Sequence, residues 1–140
     1  ETICYSLTPG RIYLNLAGRE EQGVVKERDY LKTKNLIKAN LLEWRHPVTN
    51  KKIINKVYFR EEIFHGDCYR DAPDIIAHPN NGYDLKASID EEVVYTKSNL
   101  KGMHTLEDAL IVGINIDVTK VQKIDEVFNE IKGWITNEIV

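Results

Sequence analysis

The sequence predicts a mixed α/β or α+β fold, and three stretches carry that prediction. Residues 11–16 alternate Ile12, Leu14 and Leu16 with Tyr13 and Asn15 between Gly10 and Gly18, the period-two pattern of a strand with one buried face. From about Glu27, the residues Tyr30, Ile37, Leu41 and Trp44 return at 3.6-residue spacing, with Lys32, Lys34, Lys38 and Glu43 largely on other sides, so an amphipathic helix runs to just before Pro47. Ala109–Ile114 is a near-continuous apolar run, which reads as a strand covered on both faces and as the best candidate for a central strand.

The remaining elements fill in around these. The chain opens almost directly into strand-like sequence, and the glycine-bounded, charged stretch from Ala17 to Gly23 is a loop. His46–Lys51 has turn chemistry, and Ile53–Phe59 is rich in β-branched and aromatic residues, as strands are. A short helical turn is expected at Arg60–Phe64, followed by irregular chain to Pro73. Asp74–His78 reads as a strand closed by the turn formers Pro79–Gly82, and two short strands are expected at Tyr83–Ser88 and Glu92–Tyr95, with a polar loop at Thr96–Leu106. Asp117 or Thr119 could cap a C-terminal helix, along which Val121, Ile124, Val127, Phe128, Ile131, Trp134 and Ile135 repeat at helical spacing.

Composition bounds the function. A chain of 140 residues, 42% hydrophobic and 29% charged, fits one domain or a large piece of one. Nineteen Lys and Arg against twenty-two Asp and Glu give a formal net charge of −3, without the positive excess of a phosphate-backbone binder, so a nucleic acid polymer is not an expected partner. No apolar run reaches the roughly 18 residues that cross a bilayer, and no membrane partner is expected. Cys4 and Cys68 form neither a CxxC pattern nor a disulfide framework, which points to a reducing cytoplasm. The chain begins with Glu1 instead of Met, as a piece of something longer would.

Chemistry-bearing residues are few. His46, His65, His78 and His104 include no pair at i, i+4 spacing and no HExxH pattern. His46 precedes Pro47 in a turn and reads as solvated, and His78 ends a strand. His65-Gly66-Asp67-Cys68 brings three ligand types into four residues, but zinc sites ordinarily need four ligands. His104 stands in Gly102–Asp108, a loop just before the apolar strand, where α/β proteins place functional groups. No nucleophile elbow, phosphate loop or dinucleotide turn is present. The acidic pairs Glu20-Glu21, Glu61-Glu62 and Glu91-Glu92 are adjacent in sequence and form no carboxylate dyad by themselves.

Several segments in order resemble one family. Gly10–Val25, reading GRIYLNLAGREEQGVV, is similar to the GxIYINLKGREPxGIV stretch of the type I phosphodiesterase/nucleotide pyrophosphatase family in the alkaline phosphatase superfamily. Lys56–Gly66 resembles its KVYRREEIYxG, Ala72–Ile76 its APDLI, Asn81–Tyr83 its PGY, and Gly102–Thr105 its GxH segment before a strand. Ala109–Ile114 resembles the strand that follows, although Ala109 stands for a glycine and Asn115 for a proline. The resemblance implies the C-terminal portion of a hydrolase of phosphate esters or phosphodiesters with two divalent metal ions, typically zinc. Residues about 1–95 would be a cap-like segment and about 96–140 the last core strand and helix.

His104 is the one residue the resemblance assigns, as a metal ligand. The nucleophile and the other ligands would lie in a missing N-terminal core, the expected partner of this chain together with a phosphate-ester substrate. The chain alone is expected to be inactive and to hold no metal tightly, and its uncovered strand 109–114 invites self-association. Arg19 reads as a side chain that ties down its loop. The alternative reading is a non-catalytic α+β binding or interaction module, in which His104 is only a loop residue.

Overall fold

The computed structural model describes residues 1–87, 94–97, 99 and 109–138. It is a mixed α+β fold, and the chain divides into two compact units, Glu1–Met103 and His104–Val140. In the first unit, strands β1 (Cys4–Thr8), β2 (Arg11–Leu14), β3 (Ile54–Phe59) and β4 (Ile75–Pro79) form one antiparallel sheet in the order β1-β2-β4-β3. Helix α1 (Tyr30–Glu43) links β2 to β3, and the one-turn helix α2 (Arg60–Ile63) follows β3 directly. The last strand among the described residues, β4, is inserted between β2 and β3.

Alternation explains which side chains are inside. Ile12 pairs with Ile75, Phe59 with Ile75 and Val57 with Ala77, so these residues share one face of the sheet. That face receives Ile37, Leu41, Leu42 and Trp44 from α1 and the end of the helix. Ile53, Ile54, Val57, Ile75 and Ala77 form the buried cluster at its centre. The β1–β2 turn depends on Gly10: its φ is +70°, and a Cβ there would stand 2.5 Å from the Ala77 carbonyl oxygen. The close approach is used, because Ala77 N donates to Gly10 O at 2.7 Å.

Two expectations for this unit need correction. The described part of Tyr83–Ser88, residues 83–87, is not a strand, and neither are Val94 and Tyr95; residues 88–93 lie outside the described residues. Tyr83, Leu85 and Tyr95 pack against the core cluster as loop side chains instead, and Tyr95 accepts a hydrogen bond from Trp44 Nε1 at 2.7 Å. Their apolar surface is buried without a ladder. Lys34, expected outside the apolar stripe of α1, is the buried residue of that helix at 2% exposure.

The second unit contains α3 (Ile124–Glu138). Its first turn is capped by Glu126, whose carboxylate accepts from Gln122 N at 2.7 Å and Lys123 N at 3.0 Å. Asp117 closes a local turn, accepting from the backbone and hydroxyl of Thr119. Residues 109–114, the expected central strand, take no strand conformation, and Leu110 and Ile114 are 86% and 84% exposed. A strand apolar on both faces exists only between neighbours that pair its backbone and cover its side chains, and no such neighbour stands beside this segment among the described residues. No helix among the described residues is long and apolar enough to cross a membrane.

Candidate functional site

Among the described residues, the densest polar arrangement is built around Asp74, the residue before β4, whose side chain has no exposed surface. Four donors converge on its carboxylate. Leu14 N donates to Oδ2 at 2.8 Å, Arg19 grips both oxygens through Nη1 and Nη2 at 3.0 and 2.7 Å, and Tyr30 OH donates to Oδ1 at 2.7 Å. Arg60 Nη1 lies 3.4 Å from Oδ1, while its Nη2 donates to Tyr30 OH at 3.1 Å.

Each partner comes from a different element for a local reason. Arg19 belongs to the loop after β2, which folds back so that Ala17 N donates to Val25 O and Val25 N to Asn15 O. At Gly23 of that loop a Cβ would collide with the Leu16 carbonyl. Glu20 holds the other side of Arg19: it accepts from Arg19 Nε at 2.8 Å, Leu16 N at 2.7 Å and Tyr5 OH at 2.9 Å. Tyr30 opens α1 and Arg60 opens α2, so the cluster ties both helix starts to the sheet where β4 begins. Beside it, Lys34 Nζ reaches Glu61 at 2.7 Å and lies 4.4 Å from the centre of the Phe59 ring.

The electrostatics follow from this geometry. Burial pushes the Asp74 carboxyl up, but the hydrogen bonds from Arg19, Tyr30 and Leu14 outweigh it and hold the group below the ordinary aspartate value. The bond to Asp74 raises Arg19, so its charge is permanent. Burial, followed by the bond to Asp74, pushes the Tyr30 hydroxyl up and keeps it protonated. A carboxylate whose oxygens are filled by donors is a poor base. Asp74 is therefore a clamp: it fixes the loop carrying Arg19 against α1, α2 and β4.

The other sequence candidates are scattered. His46 is not simply solvated: its Nδ1 accepts from Val48 N and Thr49 N, both at 3.2 Å, and its ring meets Tyr95 edge-on. His65 lines an open pocket of about 290 Å³ with Glu61, Phe64, Gly66 and Tyr69, while His78 sits opposite Lys56 in the sheet. The pair Glu61-Glu62 is split between Lys34 and the backbone of Phe59. His104 lies outside the described residues, as do Glu91 and Glu92. Among the described residues, no group of three or more His, Cys, Asp or Glu could hold a metal ion.

Sequence reasoning passed over Asp74 and Lys34, though each left a trace. Lys34 stands four residues after Tyr30 and three before Ile37, inside the stripe that packs on the sheet. Asp74 directly precedes the apolar residues Ile75 and Ile76, where an acid needs partners in order to be buried. No family model, no curated protein and no solved structure matches the chain.

Proposed function

We propose that this chain is the C-terminal portion of a metal-dependent phosphohydrolase acting on phosphate esters or diesters, and that it does not hydrolyse them alone. One observation supports the reading above others. Arg19, Arg60 and Asp74 stand in three separate segments that resemble the phosphodiesterase family, and the three side chains meet in one buried ionic cluster. Segments that resemble a family in order, and also depend on one another physically, are parts of one working unit.

In this reading the described residues contribute architecture. The Asp74 clamp holds the loop and two helices of an accessory segment rigid, and His104 adds an imidazole ligand to a metal centre whose nucleophile and other ligands lie elsewhere in the protein. Two divalent ions at such a centre stabilise the attacking and leaving oxygens. No step of the reaction falls to the described residues.

The test is hydrolysis of p-nitrophenyl phosphodiester and monoester by the full-length gene product with zinc, beside its His104→Ala variant. Activity that collapses in the variant while its circular dichroism is unchanged is the expected result. Undiminished activity in the variant, or robust turnover by the 140-residue chain alone, refutes the assignment.

A further inference from the structure

The face of the sheet turned away from α1 has a composition of its own. Tyr5 pairs with Tyr13, Arg11 with Ile76, Ile76 with Tyr58, and Lys56 with His78, so the register sets these residues on the side opposite Val57, Ile75 and Ala77. The Tyr5 and Tyr13 rings stack, with centroids 5.5 Å apart and 13° between their planes. Arg11 and Lys56 are exposed, and Tyr13, Tyr58, Ile76 and His78 are partly so. None of the four strands contains Asp or Glu.

Among the described residues, several cations of the unit are neutralised by acids, and the two on this face are not, in common with Lys26, Lys32, Lys51 and Arg70 elsewhere. Arg19, Lys34, Lys38, Arg45, Lys52 and Arg60 each stand within ion-pair distance of a carboxylate. Arg11 and Lys56 make no ion pair among the described residues. The nearest acid recorded beside the face, Glu20 at the Tyr5 hydroxyl, is engaged by Arg19, Leu16 and Tyr5. Exposed cations without ion pairs, set among aromatic rings on strands free of acids, complement an anion that carries planar rings.

We propose that this face binds single-stranded nucleic acid, with bases stacking on Tyr13 and Tyr58 and phosphates meeting Arg11 and Lys56. Arg11 and Tyr13 are two residues apart on β2, and Lys56 and Tyr58 two apart on β3, a separation of about 6.8 Å in each strand. The two strands flank β4, so the pairs stand roughly 9.6 Å apart across the sheet. Each side of the central strand thus offers one ring and one cation, the combination that holds bases and backbone on a sheet platform. This revises the expectation drawn from the net charge of −3, because the acidic excess lies outside the strands. The inference goes beyond the hydrolase reading and does not depend on it.

The test titrates the full chain into a fluorescein-labelled oligothymidylate of about 12 nucleotides, with EDTA present so that binding is read apart from any metal-dependent turnover. The fluorescence anisotropy rises, and affinity falls between about 50 and 200 mM salt with a log–log slope near −1.4 for the two phosphate contacts. Tyr58→Ala and Arg11→Ala each weaken binding at least about fivefold, Tyr58→Phe keeps it, and Lys32→Ala on α1 leaves it unchanged. Circular dichroism verifies that each variant is folded, and Tyr58→Leu, which keeps an apolar side chain and removes the ring, carries the test with the same expected loss should Tyr58→Ala unfold. No rise in anisotropy overturns the proposal. So does equal binding of an abasic oligonucleotide, or loss in Lys32→Ala equal to that in Arg11→Ala.

Discussion

Glu1–Met103 and His104–Val140 have apolar residues in plenty and treat them differently. The buried hydrophobic residues Leu14, Val25, Ile53, Ile54, Val57, Ile75 and Ala77 all fall in the first unit, where a sheet and a helix meet face to face. In the second, Val112 is 73% exposed, Ile124 89% and Phe128 69%. Both units carry residues of the right type, and among the described residues a second layer set against them is seen in the first. The first also surrounds its buried charge with partners: Asp74 meets two guanidinium groups, a hydroxyl and a backbone amide. Apolar patterning marks a surface for burial, but burial itself requires a partner.

Substitutions can break this contrast, and the largest effect is expected at the clamp. Asp74→Ala leaves Arg19, Arg60 and Tyr30 facing one another without their shared anion, and the loss expected on removing one partner of a buried pair is about 3–5 kcal/mol. Urea unfolding followed by Trp44 fluorescence in a Trp134→Phe background measures it. A loss under about 1 kcal/mol would mean the cluster is as weak as a surface pair. Ile54→Ala, at a side chain with 1% exposure, is expected to cost about 2–5 kcal/mol in the same assay. Val112→Ala is its counterpart in the second unit and is expected to stay within about 0.5 kcal/mol; a larger loss would show that this segment is covered.

Lys34→Met sharpens the contrast between burial and charge. It keeps an unbranched apolar side chain but removes the ammonium that bonds half-exposed Glu61 and lies over the Phe59 ring, so a loss of about 1 kcal/mol is expected from thermal unfolding.

The smallest effect is a change in pH dependence. The folded Asp74 carboxyl lies below its unfolded value of about 3.9. Its contribution is therefore present above about pH 4 and is lost as the pH falls through the folded value. Asp74→Asn cannot titrate, so its unfolding midpoint declines less steeply as the pH falls below about 4. Glu20 and Glu61, also held below their ordinary values, supply the slope that remains. An acid limb as steep as that of the native chain would show that Asp74 is not the linked group.

Much of the first unit was legible in the sequence. The alternation through Ile12 and Leu14, the β-branched and aromatic run ending at Phe59, and the apolar stretch from Ile75 each became a strand within a residue or two of expectation. The Tyr30–Trp44 stripe became α1 and its C-terminal edge. The candidate site was less legible: Arg19 was read as a tie for its loop, and what it ties to, Asp74, is 55 residues away. No local pattern reports a pairing at that distance. Ala109–Ile114 went the other way, because its apolar run states a preference for burial and not the presence of neighbours to satisfy it.

The sequence by itself determined which segments extend, which coil and which faces seek burial, since these follow from side-chain period and backbone preference within a few residues. Only the tertiary structure decided that β4 lies between β2 and β3, that Lys34 and Asp74 are buried, and that Arg11 and Lys56 share an acid-free face with Tyr13 and Tyr58. The reason is physical: burial of a charge and the sharing of a face are properties of residue pairs brought together across long loops, and their energies exist only once the chain has closed on itself.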